Sequence, residues 1–377
     1  MTGSYVKVVV AMSGGVDSSV AAALLKEQGY EVIGITMQLQ PSDRLAEVAD
    51  RFGGCCGLGA VADAKRVAYG LDIPHYVVNF RDVFERYVIA DFCREYSLGR
   101  TPNPCIRCNQ FVKFDALLKK ARGLGASLVA TGHYARIENG NGKSRYLLKK
   151  SADRRKDQTY VLYVMTQEQL HSSLFPLGSL TKEEVRRIAE QLELPVAGKP
   201  ESQEICFVPD NNYAGFLKEY TGAVAAPGLI VDQQGNVLGR HRGIASYTIG
   251  QRKRLGIANR EPLYVVAIDQ EKNTITVGGK EEVYATELTA CKLNWISVGK
   301  LEGTLKVKAK IRYLHPEAEA TVTPSGENEV RVRFKEPQMA IAPGQAIVFY
   351  DGDTVVGGGS ITGHVRTIRT HEKEEGG

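Results

Sequence analysis

The sequence predicts an α/β domain with a doubly wound parallel sheet, followed by a small linker domain and a C-terminal β-barrel domain. Three observations carry this. From residue 6 to about 200, short apolar runs take turns with helical stretches, the order that yields a parallel sheet covered on both faces. After about residue 212, Gly, Pro and Asn/Asp turns recur between short β-prone runs. From Ala290 to about Thr370 the alternation is that of an all-β unit. The divisions drawn are 1–212, 213–285, 286–370 and a polar tail at 371–377. The length of 377 residues asks for two or three such units.

The first strand is the run from Val6 to Ala11. It breaks at Gly14-Gly15 and restarts as a helix rich in Ala and Leu that stops at Gly29. Strand, glycine turn and helix N-terminus together build an anion site. Glycine lets a phosphate approach the main chain, and the first helical N–H groups point at it. Ser13, Ser18 and Ser19 add hydroxyls. No Gly-Lys-Ser/Thr follows, and the glycine spacing is not that of a dinucleotide fingerprint.

Further strands are read at Glu31–Gln38, His75–Phe80 and Ser127–Thr131, and helices at Val61–Leu71 and Lys113–Leu124. Thr181-Lys182-Glu183-Glu184 is a capping box whose helix puts Val185, Ile188, Ala189 and Leu192 on one face. Ligands of such sheets sit beyond the carboxyl ends of the strands. The glycine turn, Met37 and Gly132-His133 all follow strand ends, so they are expected in one crevice.

The composition, 43% hydrophobic and 24% charged, is that of a globular protein, and the net charge of +5 permits a nucleic-acid partner. The start of the chain does not read as a signal peptide, and no apolar run is long enough to span a bilayer. A cytoplasmic location without a membrane partner is therefore expected. There, seven cysteines point to chemistry or metal binding rather than a disulfide framework. Cys105 and Cys108 lie in a loop, Gly99 to Pro104 and onward, that its prolines exclude from helix and central strand; Cys206 lies far along the chain. Three readings are open. One is a structural zinc site, which lacks a matching second pair unless Cys55-Cys56 complete it. Another is an iron–sulfur cluster, of the [4Fe-4S] type, on Cys105, Cys108 and Cys206. The third is a reactive thiol pair, Cys108 and Cys206. Cys55, Cys56, Cys93 and Cys291 are read as small buried apolar side chains.

Ser13-Gly-Gly-Val-Asp-Ser-Ser19 resembles the PP-loop of ATP pyrophosphatases, which split ATP into AMP and pyrophosphate. Six further stretches accompany it in order: Gly99 to Asn109, Ala130 to Tyr134, Lys156-Asp157-Gln158, Ile205-Cys206-Phe207, Gly250 to Lys253, and Pro343 to Ala346. With them nearly the whole chain resembles the bacterial tRNA-specific 2-thiouridylase family, which places sulfur on C2 of the wobble uridine. The resemblance implies ATP bound by Ala11, Met12, Ser13, Gly14, Gly15, Val16, Asp17, Ser18, Met37 and Gly132, with Asp17 helping to place Mg²⁺. It implies Cys108 as nucleophile and Cys206 as persulfide carrier, charged by a sulfur-donor protein. It implies base contacts from Asn103, Pro104 and Cys105, where many relatives carry Asp in place of Cys105. It also implies tRNA contacts from His133, Lys156, Asp157, Gln158, Arg312, Tyr313 and Gln345.

Basic clusters are the expected grip on tRNA: Lys143 to Lys156, Arg252-Lys253-Arg254, and an alternating strand at Leu305–Tyr313 with Lys306, Lys308, Lys310 and Arg312 on one face. The rival for that strand is a solvated edge guarded by charge. The rival for the whole chain is a PP-loop ligase or amidotransferase acting on a small molecule, which would need neither Cys108 nor Cys206.

Overall fold

The computed structural model describes residues 6–40, 58–140, 145–200, 205–208, 212–222 and 226–366. The expectations for Cys55, Cys56, Lys143 and the tail 371–377 lie outside these.

Strands β1 (Lys7–Ala11), β2 (Glu31–Gln38), β3 (His75–Asn79) and β4 (Leu128–Ala130) come first, then the hairpin β5 (Ala135–Asn139) and β6 (Tyr146–Lys150), then β7 (Ser173–Leu174). Five of them form a wholly parallel sheet in the order β3-β2-β1-β4-β7. Val8, Val9 and Val10 of β1 are completely buried. Val9, Ala11, Ile33 and Ile35 face one core, and Val8, Val10, Met12 and Val32 face the other. Alternate residues therefore feed two cores, as a doubly wound sheet requires.

The second sheet contains β8 (Gly228–Val231), β9 (Val237–His241), β10 (Tyr264–Asp269) and β11 (Thr274–Gly278), ordered β10-β11-β8-β9. The turn at Asp232–Asn236 closes through the Asp232 carboxylate, which accepts from the N–H groups of Gln234 and Asn236 at 2.9 and 2.8 Å. The third holds β12 (Tyr284–Trp295), β13 (Leu305–Lys310), β14 (Ala318–Gly326), β15 (Glu329–Met339), β16 (Ala346–Asp351) and β17 (Thr354–Arg366). Their order β12-β15-β14-β13-β16-β17 closes through a β12–β17 pairing into a six-stranded barrel.

Three expectations are corrected. The loop around Cys105 is helical from Pro104 onward. Proline at the first helical position needs no N–H partner, and the Asn103 carboxamide caps the helix by accepting from the N–H of Cys105 at 3.1 Å. The alternating strand ends at Lys310, so Arg312 and Tyr313 lie beyond it. Within it Lys306 and Lys308 are exposed and Val307 and Ala309 buried, as the period of two predicts. That strand pairs with β14 on one side and β16 on the other, which removes the edge-strand reading.

The third correction is the cluster Lys143 to Lys156. Its hairpin β5–β6 joins the barrel through Lys149 opposite Thr354. Lys149 meets Glu138 at 2.8 Å, Lys150 meets Glu317 at 2.5 Å, and Arg155 meets Glu183 at 2.8 Å. Arg145 donates to the carbonyls of Trp295 and Ile296. On β5, Arg136 meets Asp353 at 2.7 Å. Much of this charge ties the first domain to the barrel.

Candidate active site

The ladder of β1 continues one residue past the strand, with the Met12 N–H donating to the carbonyl of Ile35 at 2.8 Å. The chain then turns at Ser13-Gly14-Gly15 into the helix Val16–Glu27. Gly14 has φ +68°, and a Cβ there would lie 2.2 Å from the Ala60 carbonyl oxygen. The turn is thus pressed against the helix Leu58–Gly70. Ser18 and Ser19 each donate to the Gly15 carbonyl, at 3.1 and 2.8 Å, and Ser18 Oγ accepts from the Ser13 N–H at 3.2 Å. Across the turn, a Cβ on Gly132 would lie 2.7 Å from the carbonyl carbon of Asp17. Only glycine lets the segment after β4 lie flush on the start of the helix.

Two lysines that the sequence reading did not single out hold this loop. Lys199 Nζ donates to the Gly14 carbonyl at 3.1 Å and to Asp63 at 2.6 Å. Lys182 Nζ meets Asp17 Oδ1 at 2.6 Å, and the Tyr134 hydroxyl donates to the same oxygen at 2.8 Å. The available signal was charge. The PP-loop sequence carries Asp17 and no cation, so a partner for that carboxylate had to come from elsewhere in the chain. The Lys182 side chain is 7% exposed but that of Asp17 is 32% exposed, so water and the Tyr134 hydroxyl still solvate Asp17 when the lysine is removed. Lys182→Met is expected to cost about 1 kcal/mol of stability, measured by urea unfolding against Lys182→Arg, which keeps the pair.

The loop opens into a cleft of about 330 Å³. Its wall includes Ala11, Met12, Ser13, Asp17 and Ser18, together with Met37 and Gly132. Gly14, Gly15 and Val16 form the turn behind that wall. Thr36 hydroxyl donates to the Met12 carbonyl and accepts from His75 Nε2, both at 2.8 Å, fixing β2 to the loop. Pro104, Cys105, Cys108 and Cys206 line the same cleft, as do His133 and Gln158. Cys105 is exposed, Cys108 buried and Cys206 half-buried, and none is in a disulfide. Cys93 behaves as read, a core side chain whose thiol burial pushes up to about 11. Cys291 is half-buried against a separate small cavity.

Three cysteines, Cys105, Cys108 and Cys206, line the cleft. Among the described residues, however, no three His, Cys, Asp or Glu side chains stand close enough to hold a metal ion. As they stand, Cys105, Cys108 and Cys206 are not grouped to hold an iron–sulfur cluster; the zinc reading also needs Cys55-Cys56, which lie outside the described residues.

Several residues expected at the tRNA turn inward. The Asp157 carboxylate accepts from the Ser151 N–H at 3.0 Å and the Thr159 hydroxyl at 2.6 Å, and burial raises its pKa. These contacts tie the loop between Ser151 and Thr159 together. Gln158 exchanges hydrogen bonds with the main chain of Tyr134, positioning the strand end beside His133. Lys156 closes a turn through its N–H to the Asp153 carbonyl. Asn103 faces a second, small cavity next to Arg107 and Tyr163 while capping the cysteine helix. Arg312 is half-buried and donates to the Met339 carbonyl at 3.2 Å; Tyr313 packs 6.1 Å from the Tyr160 ring. Gln345 donates to the Thr101 carbonyl at 3.0 Å, and the Thr101 N–H donates to the Pro343 carbonyl at 2.8 Å. Pro343-Gly344-Gln345 therefore docks the barrel on the loop that leads to the cysteine helix.

A parallel sheet whose first strand turns through two glycines into a helix, and whose strand ends close on that turn, defines a PP-loop enzyme of the ATP-using class. Residues 6–210 match the family model described as the tRNA methyl transferase HUP domain. Residues 214–279 match the tRNA methyl transferase PRC-barrel domain, and 285–361 the aminomethyltransferase beta-barrel domain. The chain is 58% identical to the tRNA-specific 2-thiouridylase of Acetivibrio thermocellus over 94% of its length and 99% of that protein's. It is 55% identical to that of Lachnoclostridium phytofermentans, with the same shares covered. A 4-thiouridine synthetase–RNA complex with bound ATP is similar over 57% of this chain and 50% of its own, at 19% identity and TM-score 0.35, too distant to inform the site. The chain belongs to the tRNA-specific 2-thiouridylase family. Among the described residues no helix is long and apolar enough to cross a membrane.

Proposed function

We propose that the chain is an ATP-dependent tRNA uridine 2-sulfurtransferase. The observation that carries this is one cleft lined both by the PP-loop residues and by Cys108 and Cys206. A uridine C2 oxygen is a poor leaving group. Its attack on the α-phosphate of ATP expels pyrophosphate, which the loop N–H groups and the helix N-terminus receive. The C2 oxygen now departs as part of AMP. Asp17, whose two close contacts both fall on Oδ1, would hold Mg²⁺ together with phosphate oxygens; the ion would screen phosphate charge.

The persulfide on Cys206 attacks C2, forming a C–S bond as AMP leaves. The Cys108 thiolate then attacks Cys206 Sγ. A Cys108–Cys206 disulfide forms, the bond from Cys206 to the transferred sulfur breaks, and its electron pair stays on that sulfur as the thiocarbonyl. A dithiol reductant reopens the disulfide, and a persulfide-bearing donor protein reloads Cys206. The wobble uridine reaches the cleft from an unpaired anticodon loop, where bases can be splayed out. The rival small-molecule ligase has no use for the two thiols. Incubation of unmodified tRNA with ATP and a persulfide donor, followed by nucleoside mass analysis, tests the reading. One 2-thiouridine per AMP is expected; AMP without thiouridine sinks it.

Lys306 and Lys308 stand exposed on the barrel wall and are proposed to meet tRNA phosphates. Lys310 is half-buried there. The double variant Lys306→Ala/Lys308→Ala is expected to lower the salt slope of tRNA binding by about two units, with unfolding unchanged. Filter binding across a salt series is the measurement, and an unchanged slope assigns the grip elsewhere, with the exposed Arg252-Lys253-Arg254 next in line.

A further inference from the structure

The helix that begins at Pro104 changes its hydrogen-bonding pattern at Cys108: residues Cys108–Ala116 form a π-helix. Such helices bond residue i to i+5 and recur at functional sites. One π turn after Cys108 stands Lys113. In an α-helix five residues advance the chain by about 1.4 turns, and Lys113 would face away from the side that Cys108 occupies. Here both line the same cleft. The register is pinned on either side. Asn109 Nδ2 donates to the Val161 carbonyl at 3.0 Å, and Phe114 packs between His133 and Phe175, with centroids 5.9 and 5.8 Å away.

Lys113 Nζ lies 3.5 Å from His133 Nε2, and His133 Nδ1 lies 2.7 Å from Thr131 Oγ1. An ammonium has donors only. Nε2 therefore accepts, Nδ1–H donates to Thr131, and the imidazole is neutral. Burial first, and then the charge of Lys113, hold its pKa well below the ordinary range. Among the described residues that line the cleft, Lys113 is then the one Lys or Arg. The groups that must react beside it, a persulfide, a thiolate and the phosphate of an adenylate, are all anions.

We propose that Lys113 is a catalytic residue of sulfur transfer, its ammonium stabilising the anionic sulfur in the cleft while Cys108 attacks Cys206 and the electron pair of the broken S–S bond moves onto the sulfur held by C2. This rests on the sulfurtransferase reading. It adds a role that adenylation does not need, and the two are tested apart.

The adenylation half-reaction is read as tRNA-dependent exchange of pyrophosphate into ATP. The transfer half-reaction is read as 2-thiouridine formed in a single turnover. Lys113→Met is expected to keep the exchange and to slow transfer about 100-fold, the scale seen when one buried donor to a developing anion is removed. Lys113→Arg is expected to keep at least about a tenth of the wild-type rate. A third readout involves no tRNA. The rate of Cys108 alkylation by anionic iodoacetate, divided by that with neutral iodoacetamide, reports the local field, because the fraction of thiolate cancels. That ratio is expected to fall at least about threefold in Lys113→Met. Wild-type transfer in Lys113→Met, or an unchanged alkylation ratio, overturns the proposal. If Lys113→Met does not fold, a folded Lys113→Arg with no transfer overturns it equally. A wild-type protein that forms no 2-thiouridine would instead refute the sulfurtransferase reading.

Discussion

Cys206→Ser is expected to end 2-thiouridine formation, by about 10³-fold or more, while tRNA-dependent exchange of pyrophosphate into ATP continues. A serine hydroxyl cannot carry a sulfane sulfur, so no residual route through this residue is open. Adenylation is left untouched, because no step of it uses the Cys206 thiol. The side chain is half-buried and packs on the edge of the first core, beside Ile205 and the buried Phe207. Sulfur to oxygen is a small change there, and thermal unfolding should barely move. Cys105→Asp is the informative companion. Cys105 is exposed and in no disulfide, so this variant should stay active if the side chain only lines the base pocket. Full 2-thiouridine yield from Cys206→Ser would end the persulfide assignment.

Gly14→Ala is expected to cost ATP affinity at least about 100-fold and to destabilise the domain. The left-handed φ of +68° alone costs an alanine about 1–2 kcal/mol. The larger effect is steric. The new methyl would lie 2.2 Å from the Ala60 carbonyl oxygen and 2.9 Å from its carbon, and backbone cannot swing aside as a side chain can. Either the turn or the helix Leu58–Gly70 must move. On the proposed reading the turn's N–H groups receive phosphate, so binding falls with stability. Gly15→Ala is the control. Its φ is −99°, and its Cβ would meet only Ser13 Oγ, at 3.5 Å. That variant should unfold at the wild-type temperature. Equilibrium ATP binding and thermal unfolding of the pair decide the matter; equal behaviour of the two would mean that the turn is not built as described.

Much of this site was legible in the chain because its signals are local. Glycines between a strand and a helix, hydroxyls at the helix start and Gly132 after a strand end each declare themselves within a few residues. The alternation of Lys306, Val307, Lys308 and Ala309 likewise needs no partner to be read. What stayed hidden depends on contacts distant in sequence. Lys182 and Lys199 reach the PP-loop from more than 160 positions away, with |i−j| of 165 and 185. Arg145 reaches the Trp295 carbonyl at a separation of 150 and Lys150 the Gly352 carbonyl at 202, so part of a run of cations that reads as a nucleic-acid patch is an internal joint. Pro104 misled for a different reason: proline forbids a helix interior but suits its first turn. The π register at Cys108 leaves no mark in composition, and with it went the placement of Lys113.

The central claim is that ATP activates the base itself, by adenylating the C2 oxygen of the wobble uridine. An anticodon stem–loop synthesised with a heavy oxygen isotope at C2 of that uridine tests it most directly. After one turnover with ATP and persulfide-loaded protein, the released AMP is weighed by mass spectrometry. The account predicts that the heavy oxygen appears in AMP, one atom for each 2-thiouridine formed, and none in pyrophosphate. Unlabelled AMP alongside 2-thiouridine would contradict it.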